Sequence, residues 1–337
     1  MNEGRDGLTE SQRDAGPEPG SPFRGPIPQP EFLGHRLFYG PQGLRAGWSL
    51  LLFATLVFLL MQGFGLLVGP YVRIGADGTL PPLASLLMEL AQFAPVLLAT
   101  AILAVFEGRP LTFYGFQGRA RGRRFLAGLG CGFAAISVLV LLLRQLGYLV
   151  LDGRAIAAGP ALRYAVVWGG IFLLVGLTEE MMFRGYAQFT MTRGVGFWWG
   201  AVLIASAFGL MHSLNGGESP LGLVAVGAVG LVFCLSLWYT GSLWWAVGFH
   251  AAWDWGESYF YGTADSGLVA QGHLLREHPV GAALWSGGTT GPEGSVLIFA
   301  LLAVIAVLMV LWWGRRGEKP FAGRAWRPSS GDKAGPV

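Results

Sequence analysis

Of 337 residues, 53% are hydrophobic and only 13% charged, against about 25% charged in ordinary soluble domains. The 53 glycines follow no G-X-Y period, which excludes collagen; threaded with alanine through apolar runs, they suit helices packed closely in lipid. A net charge of +3 without a basic-aromatic motif gives no argument for nucleic acid.

In chain order, residues 1–46 come first as a polar arm. Met1–Glu10 lacks the apolar run of a signal peptide, and Gly16–Pro30 is rich in proline with little to bury, so a disordered segment is expected. Eight apolar segments follow, at about 48–69, 84–106, 125–151, 162–190, 197–214, 221–240, 243–260 and 295–313. Each approaches the ~20 residues needed to cross ~30 Å of hydrocarbon, where every backbone polar group must be paired internally. The expected fold is therefore all-α and polytopic, with residues 47–314 forming one eight-helix transmembrane domain around a buried polar site. Cys131 and Cys234 sit within apolar runs and read as small hydrophobes, neither a disulfide nor a CxxC metal site. A loop over about 261–294 carries His273 and His278, read as solvated, and residues 315–337 form a basic tail. Arginines crowd the arm, the second-to-third loop (Arg109, Arg119, Arg121, Arg123, Arg124) and the tail. That bias predicts a multi-pass cell-membrane protein with both termini in the cytoplasm.

Ionisable groups inside apolar spans cost several kcal/mol and mark an interior or a cavity. Glu89 and Arg144 lie at similar depth on neighbouring spans, which suggests an ion pair, with a structural pair or a snorkelling arginine as the favoured reading. The fourth span reads Gly176-Leu-Thr-Glu-Glu-Met-Met-Phe-Arg-Gly185. Glu180 and Arg184 are four residues apart and stack on one helix face, so Arg184 is expected to neutralise Glu180. Glu179 then points about 100° away, with no local cation. The fifth span places Phe208 and His212 four apart, and the seventh does the same for His250 and Asp254. From a turn centred on Val195, Glu179 lies 16 residues before and His212 17 after, both about 24–26 Å along their helices. From Gly241, His250 and Asp254 lie about 14 and 20 Å along theirs. The four groups can converge on one buried polar site.

No Gly-x-Ser-x-Gly elbow, nucleophilic serine or cysteine, or His-Glu-x-x-His motif accompanies these residues. A carboxylate base with two imidazoles and a second carboxylate in a water-poor cavity suits activation of water for amide hydrolysis. Glu179 would take the proton, His212 orient the water, and His250 and Asp254 serve the developing oxyanion or hold the peptide.

Glu179-Glu180-x-x-x-Arg184, Phe208-x-x-x-His212 and His250-x-x-x-Asp254, in order on separate apolar spans, resemble the three motifs of the CAAX-prenyl-protease-like intramembrane endopeptidases, a family with bacteriocin-processing and abortive-infection relatives. The likeness covers about 160–260. It implies Glu179 and His212 as the water-activating pair, His250 and Asp254 on the oxyanion side, and Glu180, Arg184 and Phe208 in support. Asparagine is common in the family where Asp254 stands. An ionised aspartate cannot donate to an oxyanion, so Asp254 must be protonated, orient His250 or bind a cation. A Zn²⁺ held by Glu179, His212 and His250 is an open alternative to glutamate-only catalysis. The implied partners are a membrane-associated, prenylated or leader peptide substrate and the lipid bilayer. A catalytically silent immunity or scaffold relative and a proton-coupled transporter are the competing readings.

Overall fold

A computed structural model of the chain describes residues 37–40, 43–73, 75, 79–118 and 120–315. The expected disordered arm falls almost wholly outside these residues, as does the tail beyond Arg315. The chain divides into two units, Met1–Gly43 and Leu44–Val337. In the first, Tyr39–Gly40 is extended; the second holds everything that follows.

All eight apolar segments are helical. They are α1 Ala46–Val68, α2 Pro82–Phe106, α3 Arg121–Gln145, α4 Ala158–Glu180 continued by α5 Gln188–Val195, α6 Phe197–Met211, α7 Pro220–Thr240, α8 Trp244–Asp254 and α9 Leu297–Trp313. Six of these segments are long and apolar enough to cross a bilayer, and α9 is a shorter apolar helix. Their outward faces are greasy: Leu51, Leu52, Phe58, Leu59, Leu66 and Leu67 of α1 are all exposed. A soluble protein would not leave such a surface to water. Cys131 and Cys234 are free thiols, as expected.

Glycine sets two of the hairpins. Gly196, at φ +84°, separates α5 from α6, and Gly241, at φ +61°, caps α7 before α8. Both positions need the left-handed backbone that glycine adopts without a Cβ penalty.

The innermost helix is α8, in which Trp245–Phe249 and Ala251–Asp254 are all buried. It packs most extensively against α3 and next against α4. Gly128 and Gly132 of α3 and Gly248 of α8 make that approach possible. A Cβ at Gly128 would enter the Trp245 carbonyl, one at Gly132 the Phe249 carbonyl, and one at Gly248 the Phe125 carbonyl. Backbone lies on backbone, the close packing that small residues permit in membranes.

Two expectations give way here. The third span does not run to about 151: α3 stops at Gln145, Gly147 turns at φ +82°, and Leu149–Arg154 forms a strand, β1. The loop after α8 is not structureless either. Its Leu275–Pro279 forms β2, antiparallel to β1 with a bulge between Leu151 and Gly153, followed by a helical turn at Ala283–Ser286 and a 3-10 turn at Pro292–Gly294. Apolar content extended the span on paper, whereas a glycine turn and strand pairing claimed its last residues. The two loop histidines have partners: His278 Nδ1 lies 2.8 Å from Asp152 at the bulge, and His273 Nδ1 lies 2.8 Å from the Ala270 carbonyl.

Candidate active site

Helical regularity breaks beside each motif. Immediately after Glu180 the chain enters a π-helical segment, Met181–Ala187, and after Asp254 a second one, Trp255–Tyr261. His212 opens a 3-10 turn, His212–Leu214. Such interruptions re-aim side chains and concentrate at functional sites.

Beneath the site lies a dry ion pair. Arg184 Nη1 donates to Glu180 Oε1 at 3.0 Å, with both side chains fully buried. The guanidinium stacks over Phe208 at 4.0 Å and reaches Phe233 at 5.4 Å. These aromatic faces accept the cation where Arg184 Nε and Nη2 have no hydrogen-bond partner. The expected Glu180–Arg184 pairing is present, and Phe208 proves to be the surface on which Arg184 rests.

Above that pair, His250 faces three carboxylates. Its Nδ1 lies 3.3 Å from Glu180 Oε1, while its Nε2 lies 3.5 Å from Glu179 Oε2 and 3.6 Å from Asp254 Oδ2. The last two separations are ion-pair distances rather than hydrogen bonds. Among the described residues Glu179 pairs with no arginine or lysine, yet His250 reaches it from α8, and Glu179 Oε2 still has no hydrogen-bond partner. His212 Nδ1 lies 2.9 Å from the Phe208 carbonyl, with its ring edge-on to Phe208 at 4.8 Å. A carbonyl can only accept, so Nδ1 carries the hydrogen and Nε2 is left for a ligand.

Glu179, His212, His250 and Asp254 all line one cavity of about 410 Å³. Phe172, Trp168, Met61 and Met88 give it apolar walls. Glu180 and Arg184 lie behind the wall and Phe208 forms part of it.

The Glu89–Arg144 pair does not form. Arg144 is exposed, whereas Glu89 accepts from Gln92 at 3.2 Å and lines the cavity. Equal depth on two helices says nothing about azimuth, and these two residues face different ways. Nor does the donor set suit zinc. Tetrahedral zinc with bonds of about 2.0–2.1 Å needs its donors well under 4 Å apart. Glu179, His212 and His250 do not offer three atoms within 4.8 Å of one another, so as placed they do not fit the ion.

Asp265 and Glu293 also line the cavity, and Glu257 is buried one turn beyond Asp254. None of these was singled out from sequence. Only Glu257 left a signal, as one more carboxylate in the seventh apolar run. In the loops, burial raises the Asp265 carboxyl well above the usual range, with the Asp254 and Glu293 carboxylates adding to it. Burial, then Glu293, also raises Glu218.

Comparison with curated proteins gave no significant match. Residues 161–256 match the family model described as type II CAAX prenyl endopeptidase Rce1-like. That stretch runs from α4 past Asp254 and contains all three motifs, and over it the chain is similar to the Rce1-like family.

Proposed function

We propose that this chain is an intramembrane endopeptidase that cleaves a prenylated or otherwise membrane-anchored peptide with a water activated by Glu179. One observation supports this above all: Glu179, His212, His250 and Asp254, carried on three separate helices, line a single cavity together with Phe172, Trp168, Met61 and Met88. In this reading Glu179 takes the proton from water as it attacks the scissile carbonyl. His212, with Nδ1 fixed on the Phe208 carbonyl, accepts from the same water through Nε2 and orients it. His250 stands on the oxyanion side. Of the three roles open to Asp254, orienting His250 is the one its position supports, with Oδ2 at 3.6 Å from Nε2. Glu179 then returns the proton to the leaving amine. The aromatic and methionine walls suit an isoprenoid or acyl chain beside the peptide. Both termini are placed on the cytoplasmic side, following the arginine bias.

The test is cleavage of a prenylated CAAX-type peptide, its unprenylated form and a leader peptide by purified protein in liposomes. Wild type is expected to prefer the lipidated substrate, and His212→Ala to lower kcat about 10²-fold or more at unchanged melting temperature. Full turnover by His212→Ala would remove the mechanism. A well-folded wild type inert toward all three peptides would favour the silent scaffold reading.

A further inference from the structure

Three chain segments bring carboxylates together at the cavity wall. Glu257 comes from the π segment after α8, Asp265 from the following loop, and Glu293 from the 3-10 turn before α9. Each offers an oxygen within 4.8 Å of the other two. Glu257 is fully buried, and neither of its carboxylate oxygens has a hydrogen-bond partner. An ionised carboxylate left so in a dry interior is strongly disfavoured without a counter-charge. Among the described residues no lysine or arginine pairs with any of the three.

The other two carboxylates are held in place. Glu293 Oε1 accepts from the Ser266 backbone N–H and hydroxyl, each at 2.7 Å, and Asp265 Oδ2 accepts from the Ser258 hydroxyl at 3.0 Å. Ser266 adopts φ +46°, an uncommon left-handed conformation for serine, to make its double contact. Gly291, at φ +108°, keeps the chain close: a Cβ there would enter the Ala264 carbonyl and stand 3.4 Å from Glu257 Oε1.

We propose that Glu257, Asp265 and Glu293 bind a divalent cation, Ca²⁺, that clamps the end of α8 to the loops walling the cavity. Oxygen-only donors select a hard cation over zinc. Calcium accepts several carboxylate oxygens at about 2.3–2.6 Å in adaptable geometry, whereas magnesium demands a near-ideal octahedron and keeps several of its waters, so an all-protein carboxylate set favours calcium. Asp265 and Glu293 share the cavity with Glu179 and His212, but the proposal stands or falls independently of the proteolytic reading, because its test reads binding and stability rather than turnover.

The experiment is calcium binding by equilibrium dialysis, with thermal melting, on chelator-stripped full-length protein in detergent. About one Ca²⁺ per chain and a melting temperature raised by ~3 °C or more at saturation are expected. Glu257→Gln and Asp265→Asn should each weaken binding about tenfold or more, and Glu277→Gln, a loop carboxylate outside the cluster, should leave it unchanged. Absence of calcium binding by wild type overturns the proposal whatever the variants do. So does undiminished binding by a folded Asp265→Asn, the half-buried member, should Glu257→Gln fail to fold. Equal or tighter binding of Mg²⁺ overturns the calcium assignment.

Discussion

Arg184 is buried completely, and its neighbours depend on its charge. Removing it leaves Glu180 with only the His250 contact at 3.3 Å and opens a void against Phe208 and Phe233. Breaking a buried pair from one side costs about 3–5 kcal/mol, far more than a surface pair would. Arg184→Ala should therefore lose that much stability in denaturant titration and lose cleavage with it. A purified variant as stable as wild type would show that Glu180 is not the carboxylate Arg184 supports. At this scale the sequence was informative, because i, i+4 spacing is nearly a contact statement on a helix. It placed Glu180 against Arg184 and His250 beside Asp254. It failed for Glu89 and Arg144, whose pairing required an azimuth that depth cannot supply.

Between elements, the α3–α8 contact decides where His250 stands. Gly132 admits the Phe249 carbonyl where any Cβ would collide, one residue before His250. Gly132→Val should force the helices apart, lower the melting temperature and reduce cleavage at least tenfold. Gly130, whose Cβ position is open, gives the control: Gly130→Ala should change neither. Equal effects of the two substitutions would refute the close-packing account. The β1–β2 ladder yields a pH test. Burial holds the Glu277 carboxyl up to about 7 from its ordinary 4.5, opposed by His278 and reinforced by Asp152. A carboxyl raised in the folded state favours folding while protonated. Its contribution is complete below about 4.5 and lost as pH climbs through about 7. Wild type should thus lose stability as pH rises from about 4.5 to about 7, and Glu277→Gln should flatten that slope; matching slopes would contradict the burial. Neither the ladder nor the π segments could be read beforehand. Strand pairing joins residues more than a hundred positions apart, and a π turn leaves the hydrophobic period almost unchanged.

For the whole molecule, composition and span length were enough to read the all-α membrane architecture, since lipid admits so few backbones. The helical bundle and the Rce1-like match over 161–256 agree with that reading. Invisible in advance was the acidity of the cavity wall: Glu89, Asp265 and Glu293 reach it from α2 and from a loop that hydropathy passes over. The convergence of Glu179, His212, His250 and Asp254 on one cavity is what the proposed chemistry needs, and Glu179 is its base. Cleavage of a lipidated peptide by wild type and Glu179→Gln, in matched liposomes at equal folded protein, tests this most directly. A product from wild type alone, with the variant slower by about 10²–10⁴-fold, is predicted; comparable product from both would contradict the account.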